Sequence, residues 1–460
     1  GTAQEPDRNC TGLPTQNPRQ ANETMSSVKS GSTTSSSVSS TKPLAGFAGN
    51  LTPLQEYRLK EFHLVCLIAV GKVPPTSKVG IPMPKETSDD YQAPKASRFS
   101  FRSAAPTGPE TYNYATCASE FKKATGNMSP EQIESSFRSA VRGDFWDIQA
   151  LRFLRARKWD LTKALEQFGA TLHWRTKDWN IDTLLERGEE YYITKEPDEG
   201  FINQYKAGKV TLHGHDKQGR PLVFIHVSKH DPKAQSELAM ERYTLHNIEG
   251  ARMCLNREVN TAAVVFDLSN FGLHNMDYSV VKFILTCFEK FYPECLGYLF
   301  IHRAPWVFSS VWAIIKGWID PVVASKISFT KNEKDLLKFI DSDQIPKVLG
   351  GTSPFEYEWI APKEGESSFL AKTEERTQLL KQRDELSDKM EKETFAWVTA
   401  SDKAAITAAD EAREKTQAQL IHHYYKLDPY VRARTIADRN GSLGEFKPEL
   451  RSGGLAQPTL

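Results

Sequence analysis

No apolar run in this 460-residue chain reaches the roughly 20 residues that a membrane-spanning helix needs, and "HLVCLIAVG" near residue 63 is too short and too far in for a secretory signal. Cysteine is scarce, six in all with no C-x-x-C pair, which argues against a disulfide framework and fits free thiols in a reducing compartment. Neither sign of charge dominates: 59 basic residues face 58 acidic ones, so the whole chain offers no case for nucleic-acid binding. The common catalytic signatures are missing as well: no G-x-S-x-G elbow, no G-x-x-x-x-G-K phosphate loop, no G-x-G-x-x-G after a strand and no H-E-x-x-H. A non-enzymatic, cytosolic protein is the expectation.

Against that polar background one segment stands out. "APWVFSSVWAIIKGWID", Ala304 to Asp320, holds three tryptophans and five β-branched aliphatics. On a helical wheel at about 100° per residue, Phe308, Val311, Trp312, Ile314, Ile315, Trp318 and Ile319 fill one broad arc. Lys316, Ser309 and Ser310 interrupt the run, so two readings stay open: a core helix, or a helix that lids an apolar cavity and turns its face toward lipid.

Ser, Thr, Asn, Gly and Pro dominate to about residue 50, too little apolar content to offset the entropy of ordering, so this leader is expected to be disordered. Met25 heads its most typical polar stretch and makes residues 1 to 24 an upstream extension or remnant by expectation. Residues 51 to 127 read as a short docking helix, carrying Leu54, Tyr57, Leu64, Val65 and Ile68, followed by a proline-rich linker. Order resumes at "MSPEQIESSF", where Ser129, Pro130 and Gln132 make a capping box, and Asp160 is placed to cap the next amphipathic stretch. These helices form a unit over residues 128 to 195.

From 196 to 355 strand patterns alternate with helical ones: "KVTLHGHDKQGRPLVFIHV" folds about "DKQG", and "TAAVVFDLSNF", "GYLFIHRAP" and "KISFT" are separated by helices. That order gives an α/β lobe with a mainly parallel sheet and crossover helices. Residues 356 to 460 form a charged helical extension with a disordered tail, its helices pairing or docking on the domain. His213 and His215 share a strand face and offer metal or haem ligation, against the commoner reading of a polar strand face beside a turn. His422 and His423 read as a solvated pair.

Taken in order, "LRFLRARKWDLTKA", "DKQGRPLVF", "VVFDLSNF", "FYPECLGYLFIHRAPWVFSSVWAIIKGWIDPVVASKI" and "IPKVLGG" resemble the motif set of the CRAL-TRIO lipid-binding family, in particular its fungal phosphatidylinositol transfer branch, over about residues 130 to 355. The resemblance implies a helical N-terminal unit beside an α/β lobe whose sheet floors an apolar pocket closed by a gating helix, here Pro305 to Asp320. It also implies roles for residues. Headgroup binding falls to Arg157 with Lys158, Asp216, Glu294 and Lys326, while Val323 replaces the threonine of the family motif and removes one hydroxyl. The gate and pocket would be Phe308, Val311, Trp312, Ile315 and Trp318 with Ala262, Val264, Leu212, Val223 and Phe288. The last five occupy positions where relatives that also carry phosphatidylcholine have Ser, Thr or Tyr, so weak or absent phosphatidylcholine binding is expected, with a sterol-like or isoprenoid second ligand.

A carrier role makes physical sense. Drawing a two-chain lipid through water exposes about 30 methylenes at roughly 0.8 kcal/mol each, a barrier above roughly 20 kcal/mol. The expected partners are phosphatidylinositol, a membrane surface visited transiently and lipid kinases; no cofactor, metal or nucleic acid is expected, and the chain is expected to be a monomer. The rival readings are a haem- or metal-binding variant using His213 or His215, and a scaffold with a vestigial pocket.

Overall fold

The computed structural model describes residues 44–75, 80–82 and 112–447. Most of the expected leader with Met25 and Cys10, most of the proline-rich linker and the last residues of the tail lie outside the described residues.

Helix α1 (Pro53–Ala69) starts at a capping box in which Thr52 Oγ1 accepts from Gln55 N at 3.2 Å and the Gln55 side chain accepts from Thr52 N at 3.0 Å. It is more than a docking helix. Its charged residues Arg58, Lys60, Glu61 and His63 are buried along with its apolar ones. Arg58 pairs with Glu61 at 2.5 Å, Tyr114 donates to Glu61 at 2.9 Å, and His63 meets Asp147 at 2.7 Å. Polar residues satisfied this way carry no hydrophobic stripe, which is why periodicity understates the helix.

Helices α2 (Tyr114–Ala124), α3 (Pro130–Val141), α4 (Trp146–Ala156) and α5 (Leu161–His173) complete a bundle with α1. Ser129 and Gln132 form the expected capping box, and Asp160 accepts from Lys163 N at 3.1 Å. Phe62, Phe121, Phe137 and Phe153 surround Phe168 with centroids 5.0 to 5.8 Å away. Three short helices follow, α6 (Ile181–Glu186), α7 (Glu189–Thr194) and α8 (Glu199–Ala207).

The sheet takes its strands in chain order: β1 (Val210–His215), β2 (Pro221–His226), β3 (Ala262–Asp267), β4 (Leu296–His302) and β5 (Ile327–Thr330). β1 and β2 are antiparallel, with Leu212 opposite Val223 and an irregularity before His215; the remaining pairs are parallel. The crossovers are α9 (Glu237–Met253), α10 (Tyr278–Thr286) and α11 (Phe308–Ile315) followed by α12 (Pro321–Ala324). Because each new parallel strand is added on the same side, right-handed crossovers put all of these helices on one face. Val223, Val264, Leu299 and Ile301 point to that face, whereas Leu222, Phe224, Ala263, Val265 and Phe300 point to the other, where Leu336, Ile340, Ile345 and Leu349 cover them.

After α13 (Glu333–Leu336), the long helices α14 (Thr373–Thr399) and α15 (Lys403–Val431) pair with each other and close on the helical bundle, Trp397 and Val398 entering the core around Phe62. His423 on α15 is buried, unlike the solvated residue expected from "IHHYY", because its side of α15 packs inward. The short α16 (Ile436–Arg439) and α17 (Ser442–Phe446) follow, and Arg432, Arg434, Asp428 and Asp438 interlock in a buried square of ion pairs at 2.8 to 3.1 Å. No helix among the described residues is long and apolar enough to cross a membrane.

Candidate functional site: an apolar cavity and a charged corner

The helices α9 and α10 stand off the sheet and leave an apolar cavity of about 160 Å³, partly open to solvent. Its floor is Val223 and Ile225 of β2 with Ala262, Val264 and Phe266 of β3; its roof is the inner faces of α9 and α10, including Ile248, Ala251, Val281 and Ile284. Small floor residues make the gap: alanine or valine at 262, 264 and 223 cannot fill the distance to the roof. Of the ten residues assigned to gate and pocket, Ala262, Val264, Val223 and Phe288 line this cavity. Leu212 packs beside it, in the same apolar cluster.

The other five sit on α11 and just beyond. Phe308, Val311 and Ile315 are buried on the sheet face beside Leu299, Ile301 and Val323, and Trp312 and Trp318 pack at the rim of that cluster. They adjoin the cavity and do not line it. Regular helix ends at Ile315, shorter than the segment read from the sequence, and the chain runs on through turns to Asp320. Edge-to-face contacts hold it down: Phe308 on Phe271 at 5.7 Å, Trp312 on Phe329 at 5.0 Å and Trp318 on Tyr278 of α10 at 5.7 Å. Trp306, 88% exposed, and Ile314 and Phe329, about half exposed, face outward beside one another's elements.

At the β3–β4 end of the cavity, next to the lining residues Cys295 and Leu296, lies a charged corner. The last turn of α10 runs on as a π-helical turn (Cys287–Phe291), a form common at functional sites. Pro293 and the left-handed Glu294 (φ 56°) follow, a costly backbone for a residue with a Cβ. That bend presents the Glu294 carboxylate to Lys326, whose Nζ donates to it at 3.4 Å. Arg155, near the end of α4, brings its Nε to 3.9 Å from the same carboxylate. Its Nε and Nη2 are buried and make no hydrogen bond, and burial pulls the guanidinium pKa down to about 10 against the opposing pull of Glu294. Over it lies the segment from Leu44 to Asn50: Gly46 O accepts from Arg155 Nη1 at 3.2 Å, and the Phe47 ring sits 3.8 Å from the guanidinium carbon. Gly46 has φ 81°, and a Cβ there would press on Trp159 at 3.2 Å, so this covering turn favours glycine.

Glu294 and Lys326, both assigned to the headgroup by the resemblance, are paired with each other at 3.4 Å. Arg157 and Lys158 are exposed, Arg157 donating to Gln167 Oε1 at 2.6 Å, and neither is paired with Glu294. Asp216 is committed to its own turn: it accepts from the backbone N–H groups of Gln218 and Arg220 at 2.9 Å and from Arg220 Nη1 at 3.3 Å. Arg155 carries no signal of its own within "LRFLRARKWDLTKA"; its partner Phe47 lies more than a hundred residues upstream, in a stretch without periodicity.

His213 and His215 do not line the cavity. His213 stacks on Phe355 at 4.1 Å and meets Ser353 Oγ at 2.8 Å, while His215 Nδ1 meets the carbonyl of Asp216 at 3.1 Å. The acidic group of Glu134, Asp388 and Glu391 is engaged by Lys72, at 3.2 Å from all three, and by Arg138. The five described cysteines are free thiols.

Residues 205–351 match the CRAL/TRIO domain and residues 118–170 its N-terminal domain. A CRAL-TRIO domain-containing protein of Schizosaccharomyces pombe is 35% identical over 415 residues, 86% of this chain and 92% of its own. The phosphatidylinositol transfer protein CSR1 of Eremothecium gossypii is 38% identical over 312 residues, 68% of this chain and 71% of its own. The crystal structure of Sfh5 covers 54% of this chain and 91% of its own at 16% identity, with a TM-score of 0.40. With matches to both domains and a relative alike over nearly its whole length, the chain belongs to the CRAL/TRIO family.

Proposed function

We propose that this protein is a non-enzymatic carrier that takes phosphatidylinositol into the cavity between α9, α10 and the sheet and exchanges it at membrane surfaces. The observation that carries the reading is the apolar-walled cavity itself, with the Glu294–Lys326 pair just beyond its lining residues Cys295 and Leu296. Acyl chains replace water against Val264, Phe266 and Ile284, removing the solvation barrier to transfer. A cation can meet the phosphodiester and a carboxylate can accept from inositol hydroxyls. The name of the Eremothecium relative agrees in ligand class.

The segment Phe308 to Asp320 acts as the gate. Its inner side chains leave the sheet face only where another apolar medium receives them, and a bilayer interface does so; Trp306, Ile314 and Phe329 are the outward residues that reach it first. The protein works in the cytoplasm, associates peripherally and transiently with membranes, and presents its lipid to lipid kinases. Phosphatidylcholine is a poor ligand because Ala262, Val264, Val223 and Phe288 offer its phosphate no hydroxyl. Mass spectrometry of lipid co-purifying with the full chain tests the assignment: phosphatidylinositol is expected, and phosphatidylcholine as the dominant species contradicts it.

A further inference from the structure

Three guanidinium groups meet at one carboxylate on α9, a roof helix of the cavity. Glu249 is fully buried. Arg175 Nη1 donates to its Oε1 at 2.6 Å, Arg252 Nη1 reaches both of its oxygens at 3.0 and 3.2 Å, and Arg142 Nη2 lies 3.0 Å from its Oε2. Against the upward push of burial, these cations hold the Glu249 carboxyl well below the usual range, so it stays ionised. Three positive charges against one negative leave an excess of two. Asp144, close by, is already matched by Arg152 at 2.8 Å, and the exposed Asp182 acts on Arg175 only from a distance. Buried cations without a counter-charge are expensive.

That excess borders a crevice of about 30 Å³ whose walls include Arg142, Arg252, Asp144, Glu249, Tyr424 and Lys447. It lies where the turn after α3, the last turn of α9 and the helix α15 meet. Arg142 is held there at φ 51°, a costly backbone for a residue with a Cβ. Its carbonyl accepts from Arg383 Nη2, which fixes the turn, while its own Nη1 and Nη2 are buried and make no hydrogen bond. Gly143 beside it lets Tyr424 close in, since a Cβ would meet that ring at 2.9 Å. A single water needs ~10–15 Å³, so the crevice has room for a compact oxyanion and none for a peptide.

We infer that Arg142 and Arg252 form a binding site for a phosphate dianion, borne by a small soluble molecule or by a lipid phosphate monoester, and separate from the Glu294–Lys326 corner. A dianion offsets the excess of two, and guanidinium forks suit its oxygens. Arg252 lines both the crevice and the lipid cavity, and its Nη2 donates to Ala140 O at 2.9 Å, tying α9 to α3. A phosphate that engages Arg142 and Arg252 together fastens the roof helix to the helical unit. A cavity of about 160 Å³ has to widen before two acyl chains enter. Resting on the carrier reading above, phosphate in the crevice therefore slows lipid exchange.

Equilibrium dialysis of the purified full chain against radiolabelled inorganic phosphate, at fixed ionic strength, tests the site. One phosphate per chain is expected, with a melting temperature higher in phosphate than in chloride of equal ionic strength. Arg142→Gln, which leaves Glu249 with Arg175 and Arg252, is expected to weaken binding about tenfold, as the loss of a hydrogen bond from a charged donor allows. Arg142→Lys keeps the charge and is expected to recover part of the affinity, which guards against a folding artefact in the glutamine variant. Phosphate held at the Glu294 corner instead would be lost in Lys326→Ala and kept in Arg142→Gln; that pattern, or no binding by the native chain, overturns the site. Vesicles containing phosphatidic acid separate the two sources: retention that depends on Arg142 identifies a lipid phosphate, and phosphate binding without it a soluble one. Phosphatidylinositol transfer by the native chain is expected to slow several-fold in saturating phosphate and transfer by Arg142→Gln to be unaffected; equal rates in the native chain with and without phosphate refute the clamp. A native chain that moves no phosphatidylinositol at all sinks the carrier assignment and leaves the phosphate site to stand or fall on the dialysis.

Discussion

The guanidinium of Arg155 lies 3.8 Å from the ring of Phe47, so a turn far upstream in the chain closes over the cation that faces Glu294. This contact covers the charged corner from outside. Phe47→Ala removes about 0.5–2 kcal/mol of cation–π attraction and loosens the turn without touching the cavity. Phosphatidylinositol loading is expected to speed up several-fold with little change in melting temperature; stopped-flow uptake from labelled vesicles reads it directly.

Trp318 bridges the gate to α10 through Tyr278 and through Lys282, whose Nζ sits 4.7 Å from the ring centre. Replacing Trp312 or Trp318 by serine takes away the apolar surface that must be traded between protein and bilayer. Both are partly buried, so the stability cost is about 2 kcal/mol, below that of a fully buried aromatic. Lipid exchange between vesicles is expected to drop at least several-fold at temperatures where circular dichroism still reports a folded chain.

Trp306→Ser isolates the outer face. At 88% exposed this side chain supports no core, and its loss is expected to change stability by less than ~0.5 kcal/mol. Vesicle co-sedimentation, in contrast, is expected to weaken.

Burial holds His246, His302 and His423 neutral, each with its pKa pushed down to about 4. In the unfolded chain the same groups take up protons near 6.5. Between those values the unfolded state binds more protons, so stability falls as pH drops from 6.5 toward 4, with a slope approaching ~1.4 kcal/mol per pH unit for each histidine. Urea midpoints across that range should show it, and His302→Gln should flatten the slope.

Asp428 and Asp438 are buried among Arg432 and Arg434, which hold both carboxyls below the usual range. Removing one partner strands buried charge, so Asp428→Asn is expected to cost about 3–5 kcal/mol, measurable by chemical denaturation. An effect under 1 kcal/mol would mean the square is solvated.

The alternation of strand and helix from Val210 to Thr330 was legible because buried parallel strands read as apolar runs, and "AAVVFD" and "YLFIH" are such runs. The resemblance singled out Glu294 and Lys326 as separate headgroup positions, but their ion pair was not legible, since thirty-odd residues and the whole gate separate the two. Helix α1 was half legible: its core position depends on Glu61 and His63 finding Tyr114 and Asp147, and a wheel counts such residues as solvent-facing. Phe47 over Arg155 leaves no local pattern, because Phe47 lies in a turn with no period to read.

Transfer of phosphatidylinositol between vesicles by the Glu294→Ala/Lys326→Ala double variant tests the central claim most directly. The two charges cancel, so their joint removal strands neither of them, and thermal denaturation shows whether Arg155, which loses Glu294 as its facing carboxylate, unsettles the fold. The carrier reading predicts that transfer falls to the protein-free rate while the variant keeps its native circular dichroism. Transfer at the native rate by a folded double variant contradicts it.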